Sequence, residues 1–158
     1  MHVLISACLL GVPCKYSGGS NAHPLLMEAA RQGEIHFIPV CPECLGGLPI
    51  PRLPSEKRGD RVFSKSGEDL TEAFERGARS ALHLARLFDC RCAILKERSP
   101  SCGAGEIYDG SFTGARVPGD GVTAQLLKAN GIAVFGESEI ETLLEQLDEA
   151  QEEAPSFF

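Results

Sequence analysis

The segment from Phe37 to Arg52, FIPVCPECLGGLPIPR, breaks off an apolar run with two thiols, a carboxylate and an arginine. Cys41 and Cys44 have the spacing of a zinc knuckle, and Glu43 between them is the kind of group that moves protons beside a metal. Cys8 in SACLLG and Cys102 in SPSCGAG also stand beyond apolar runs and among glycines. Two metal chemistries compete for these thiols. A closed zinc site would use Cys8, Cys14, Cys41 and Cys44, and would leave Glu43 and the glycine-rich Cys102 loop without a role. An iron–sulfur cluster held by Cys8, Cys41 and Cys102 would use all three segments and keep one iron free of protein, the open position that marks a catalytic metal. The competing reading of any single thiol is burial, because free cysteine packs as a small hydrophobe. Packing suits Cys90 and Cys92, which sit at a helix-to-strand junction with apolar neighbours, while Cys14 and Cys44 fit either account.

The elements that must position these residues alternate between two periodicities. Short β-branched and apolar runs predict strands over His2 to Ala7, Ile35 to Val40, Cys92 to Lys96 and Ile132 to Phe135. Helical spacing predicts helices in HPLLMEAARQG, over Gly67 to Phe88 as the longest, over Val122 to Ala129, and in SEIETLLEQLDEA. Strands separated by helices favour a parallel sheet. The fold class is therefore a small three-layer, Rossmann-like α/β fold with a mostly parallel sheet and a short hairpin excursion around Gly59 and Asp60. The stretch ERSPSCGAGEIYDGSFTG reads as a long loop that continues neither regular structure, and GSFTGARVPGDG as a glycine-rich lid. One domain over 1–150 and a frayed tail over 151–158 complete the plan. Ligands of open parallel sheets bind beyond the carboxyl ends of the strands, and Cys8, Cys41 and Cys102 follow the first, second and third strands.

Composition narrows the partners. The net charge of −7 comes without any block of lysines or arginines, so the chain as a whole repels a phosphate backbone, and nucleic acid is not expected as a partner. No apolar run approaches the roughly 20 residues of a membrane helix, and the N-terminus lacks the cationic start of a signal peptide. A cytoplasmic location is expected. Seven cysteines in a reducing compartment point to metal or thiol chemistry rather than a disulfide framework.

The segments SACLLGVPCKYSGG, PVCPECLGGLPIPR and LKERSPSCG, in this order and over nearly the whole chain, resemble the DUF523 family of thiouracil desulfidases. The resemblance implies a 4Fe-4S cluster bound by three cysteines, with one iron not ligated by protein. It also implies hydrolytic desulfuration of 2- or 4-thiouracil to uracil without net redox change, sulfur passing to the open iron. Residue by residue, it places the ligands on Cys8, Cys41 and Cys102, the acid/base carboxylate on Glu43 and an assisting hydroxyl on Ser99. It gives Cys14 and Cys44 no ligand role. The substrate it implies for a core domain alone is a small thiolated pyrimidine base or nucleoside, and it leaves the oligomeric state open.

Around that set, Tyr16, Asn21, Arg52, Ser101 and Gly103 are candidate substrate-binding residues. Each has a plainer reading: loop order for Tyr16 and Asn21, an ion pair with Glu56 for Arg52, and a turn for Ser101 beside Pro100. Gly103 and Gly105 could form an anion-binding nest of N–H groups or simply make the turn. The four histidines show no ligand spacing. The alternatives to an enzyme are a zinc or iron–sulfur redox-sensing module and a thiol-based sulfur carrier.

Overall fold

A computed structural model describes residues 1–152, with side chains to residue 149. Four parallel strands form the central sheet: β1 (His2–Ser6), β2 (His36–Val40), β5 (Cys92–Leu95) and β8 (Ala133–Gly136), in the order β2-β1-β5-β8. Alternation along the strands assigns each side chain to a face, because successive residues point to opposite sides of a sheet. Leu4, Ala93 and Leu95 pack on one face with Ala81, Leu82 and Ala85 of α3 (Thr71–Leu87) and Ala124 and Leu127 of α4 (Val122–Ala129). Val3, Ile5 and Ile94 pack on the other with Leu26 of α1 (Pro24–Gln32) and Ile140 and Leu143 of α5 (Ile140–Glu152). The expected three-layer α/β architecture is present. The crossover through α1 leads from β1 toward one edge and those through α3 and α4 toward the other, so the strand order reverses between β1 and β5. A reversal of this kind opens a crevice at the carboxyl ends of the strands.

Two antiparallel hairpins stand outside this sheet. The first, β3 (Ser55–Arg58) with β4 (Arg61–Ser64), turns at Gly59 as expected from the sequence. The second, β6 (Glu106–Tyr108) with β7 (Arg116–Pro118), lies inside the stretch expected to carry no regular structure. Its strands are three residues long, and all of β7 is exposed, so no alternation betrays it. A four-residue helix, α2 (Pro42–Leu45), was also not foreseen, being too short for a periodicity. α3 starts at Thr71 rather than Gly67, because residues 67–69 turn back onto β4: Gly67 N–H donates to Ser64 O at 2.8 Å. The closing helix runs to Glu152, and the rest of the expected frayed tail, 153–158, lies outside the described residues. No helix among the described residues is long and apolar enough to cross a membrane.

Candidate active site

β1 ends at Ser6 and tightens into a 3-10 turn, Ala7–Leu10, closed by Gly11 in the left-handed region at φ 92°. Cys8 in this turn is 8% exposed, and its carbonyl accepts from Gly11 N at 3.2 Å and Asn21 N at 3.0 Å. After β2, Cys41 caps α2, with Pro42 preset for the first helical position. α2 is pressed against α3 at two glycines: a Cβ on Gly77 would lie 1.8 Å from Pro42 O, and one on Gly46 2.1 Å from Ala73 O. Only residues without a side chain permit that approach. After β5, Ser99 Oγ accepts from Ser101 N and Cys102 N, both at 3.1 Å, and this turn carries Cys102, 6% exposed. The Ser99 hydroxyl oxygen is thus used as an acceptor, which leaves its proton to donate elsewhere.

The three strand ends meet at one cavity of about 520 Å³. Cys8, Cys41, Cys102, Glu43 and Ser99 all line it, as do Tyr16, Asn21 and Arg52. Two candidates do not. Ser101 is fully buried, with its hydroxyl 2.8 Å from that of Thr123 and also against the Cys102 sulfur. Gly103 stands behind the turn, where a Cβ would meet Ser99 O at 2.8 Å. Nor is there an anion-binding nest: Gly103 N–H already donates to Ser99 O at 2.9 Å, and Gly105 N–H to Asp120 Oδ1 at 2.8 Å. Arg52 is also not the partner of Glu56. Its side chain is 6% exposed and reaches Glu43 Oε1 from Nε at 3.5 Å, Pro49 O from Nη1 at 3.1 Å and Cys14 O from Nη2 at 2.9 Å.

Charge at this cavity is set by burial. It pushes the Glu43 carboxyl up from the ordinary carboxylate range, against the opposing pull of Arg52. Cys8 and Cys102 move the same way: Cys102 is pushed up to about 12 by burial, opposed by the Ser6 hydroxyl, and Cys8 is raised by burial, opposed by Asn21. Cys8 and Cys102 are therefore neutral as free thiols, and a bound cation would favour their thiolates. Yet Ser6 and Asn21 stand beside these sulfurs and oppose the shift. The Ser6 oxygen accepts from Lys96 N at 2.9 Å, so its proton is free for Cys102, and the Asn21 side chain meets Cys8. Donors of this sort favour a negatively charged sulfur, and the donor set fits an iron–sulfur cluster. Among the described residues, no three His, Cys, Asp or Glu side chains converge closely enough to hold a single ion, as a zinc site from Cys8, Cys14, Cys41 and Cys44 would require. A cluster asks for no such convergence, since each thiolate meets a different iron.

The remaining cysteines separate into two groups. Cys14 is buried beside the cavity, with Cys41 Sγ at 3.8 Å and Cys44 Sγ at 4.0 Å from its carbonyl oxygen. Cys90 packs in the α3 and α4 layer and Cys92 against the opposite one, as their apolar neighbours suggested. Sequence reasoning missed further aromatic and cationic residues of the lining. Tyr108, Phe112 and Gly114 from the second hairpin, and Lys65 and Lys96 from neighbouring segments, also face the cavity. For Phe112 and Gly114, the glycine-rich GSFTG was the available signal.

Comparison with known proteins adds three findings. The model of a family described as 2-thiouracil desulfurase matches residues 3–139. YbbK of Bacillus subtilis (strain 168), an uncharacterized protein, is 38% identical over 152 residues, which cover 90% of this chain and 99% of that one. The solved structure of TudS, described as a 4Fe-4S-dependent thiouracil desulfidase, superimposes with a TM-score of 0.85 at 43% identity, covering 93% of this chain and 97% of the other.

Proposed function

The chain belongs to the 2-thiouracil desulfurase family, and from that membership we propose that it is a desulfidase that hydrolyses a small thiolated pyrimidine, with Cys8, Cys41 and Cys102 as ligands of a 4Fe-4S cluster that keeps one iron open. The observation that carries this reading is the meeting of those three thiols with Glu43 and Ser99 at one cavity. When bound, the open iron supplies a soft Lewis acid for the thiocarbonyl sulfur. The protein's own groups account for the rest. Arg52 fixes the Glu43 carboxylate from one side, so that its other oxygen is available to a water molecule. Glu43 takes a proton from that water as its oxygen attacks the thiocarbonyl carbon, and returns a proton as the carbon–sulfur bond breaks. Ser99 donates its hydroxyl proton to the substrate or to the attacking water. The sum is thiocarbonyl plus water giving carbonyl plus hydrogen sulfide, with no change in oxidation state and no call for a reductant.

Anaerobic reconstitution followed by iron, acid-labile sulfide and product assays tests this directly. Incubation with 2- and 4-thiouracil should release sulfide and yield uracil at about four irons per chain. Alanine at Cys8, Cys41 or Cys102 should lower iron content and turnover together. Glu43→Gln should retain iron and lose at least about 100-fold in kcat, the usual scale of a general acid–base group. Stoichiometric zinc without sulfide release would overturn the reading.

A further inference from the structure

Glu56 lies on β3 and is 9% exposed, a costly place for a carboxylate unless its oxygens are well bonded. Its Oε1 accepts from Gly110 N at 3.0 Å and from Phe112 N at 3.1 Å, both in the turn of the second hairpin. One carboxylate oxygen of the first hairpin thus holds the tip of the other through two charge-assisted bonds. The fit is close on both sides of that contact. A Cβ on Gly110 would lie 1.9 Å from Arg58 Cγ, and the Arg58 guanidinium stands 4.3 Å from the centre of the Phe63 ring. Phe112 itself adopts φ 57°, a left-handed conformation that an aromatic residue enters only when its surroundings impose it. The imposed conformation has one evident product: Phe112 joins Tyr108 in the cavity wall, and Glu56 lines the same wall.

We propose that Glu56 is a positioning residue that clasps the 110–114 turn over the cavity, and that Phe112, held in this way, is the aromatic face against which the pyrimidine ring lies. This proposal rests on the thiouracil reading for its ligand, though not for the clasp. Aromatic faces select planar heterocycles with little regard to their substituents, so the contact sets affinity for the ring and leaves the chemistry at the thiocarbonyl to other residues.

The test uses the reconstituted full chain, with variants compared at equal iron and sulfide content and 4-thiouracil as the probe. Phe112→Ala should raise KM about tenfold, the scale of one lost base–aromatic stack, with kcat changed less than about threefold. Phe112→Tyr should restore the wild-type KM. Glu56→Ala should reproduce the KM effect, and should also speed hydrogen exchange at the Gly110 and Phe112 amides. Glu56→Gln, which keeps an acceptor oxygen, should fall nearer wild type in both readouts. An unchanged KM in Phe112→Ala, or a loss confined to kcat, would overturn the stacking role. Unchanged exchange in Glu56→Ala would overturn the clasp, and this readout holds even if the wild-type chain releases no sulfide from thiouracils, a result that would count against the proposed function alone.

Discussion

Arg52 donates from all three guanidinium nitrogens, to Glu43, Pro49 O and Cys14 O, and so ties the loop after β1 to the loop after β2. Lysine cannot reproduce a planar fork. Arg52→Lys should cost about 2 kcal/mol, the range of hydrogen bonds to charged groups, as read by urea denaturation, and should lower kcat by loosening Glu43. Ser6 is the complementary case of a small residue with two partners. Ser6→Ala removes the acceptor for Lys96 N and the donor for Cys102, so a stability loss of about 1–3 kcal/mol and faster iron loss to a chelator are expected. The meeting of Cys8, Cys41 and Cys102 at one cavity could be read from the sequence because each follows an apolar run at a strand's carboxyl end. Arg52 shows the limit of such reading. It stands four residues before Glu56 and nine after Glu43, and residue types alone favour the nearer carboxylate, whereas the turn of chain between them faces the arginine toward the farther one.

At the scale of elements, α2 and α3 approach through glycine, and the sign of a familiar substitution reverses there. Alanine in place of glycine within a helix ordinarily stabilises by about 1 kcal/mol. At Gly77 the added carbon meets Pro42 O at 1.8 Å, so Gly77→Ala should destabilise by about 1–3 kcal/mol, and because Pro42 stands between Cys41 and Glu43, iron content and sulfide release should fall together. Asp69 acts at the start of α3, where its carboxylate accepts from the Thr71 hydroxyl at 2.6 Å and the Thr71 N–H at 3.0 Å and meets Arg61 Nε at 2.8 Å. The Thr71 hydroxyl above all, then the Thr71 N–H and Arg61, lower it from 3.8 to about 2. A carboxyl lowered on folding adds stability that is complete above its unfolded value and is lost as pH falls through the folded one. The difference in urea midpoint between wild type and Asp69→Asn should therefore hold at neutral pH and shrink between about pH 4 and pH 2. The amphipathic stripe of α3 and the continuous apolar runs of β1 and β5 were legible. The second hairpin was not, because its strands are too short to show alternation and its turn is held by Glu56, far away in sequence.

In the whole molecule, the alternation of strands and helices identified the three layers, and the chain-end rule for parallel sheets brought three distant thiols to one place. What the sequence could not supply was the wall opposite them, since the second hairpin shows no periodicity and its contact with the first runs through Glu56. A cofactor that joins the loops after β1, β2 and β5 ties together segments far apart in the chain, and anything that binds the folded form alone stabilises it by mass action. Removing iron with a chelator under argon should lower the thermal midpoint by at least about 5 °C. The strand order also has a consequence for synthesis. β1 lies inside the sheet, yet its neighbour β5 leaves the ribosome only after β2 and α3 have been made. Until then one side of β1 lacks its partner strand, the Ser6 hydroxyl has neither Lys96 N nor Cys102 to meet, and Cys8 and Cys41 are without the third thiol. The three thiols can therefore meet only once β5 and the turn that carries Cys102 have been made, long after β1 and β2.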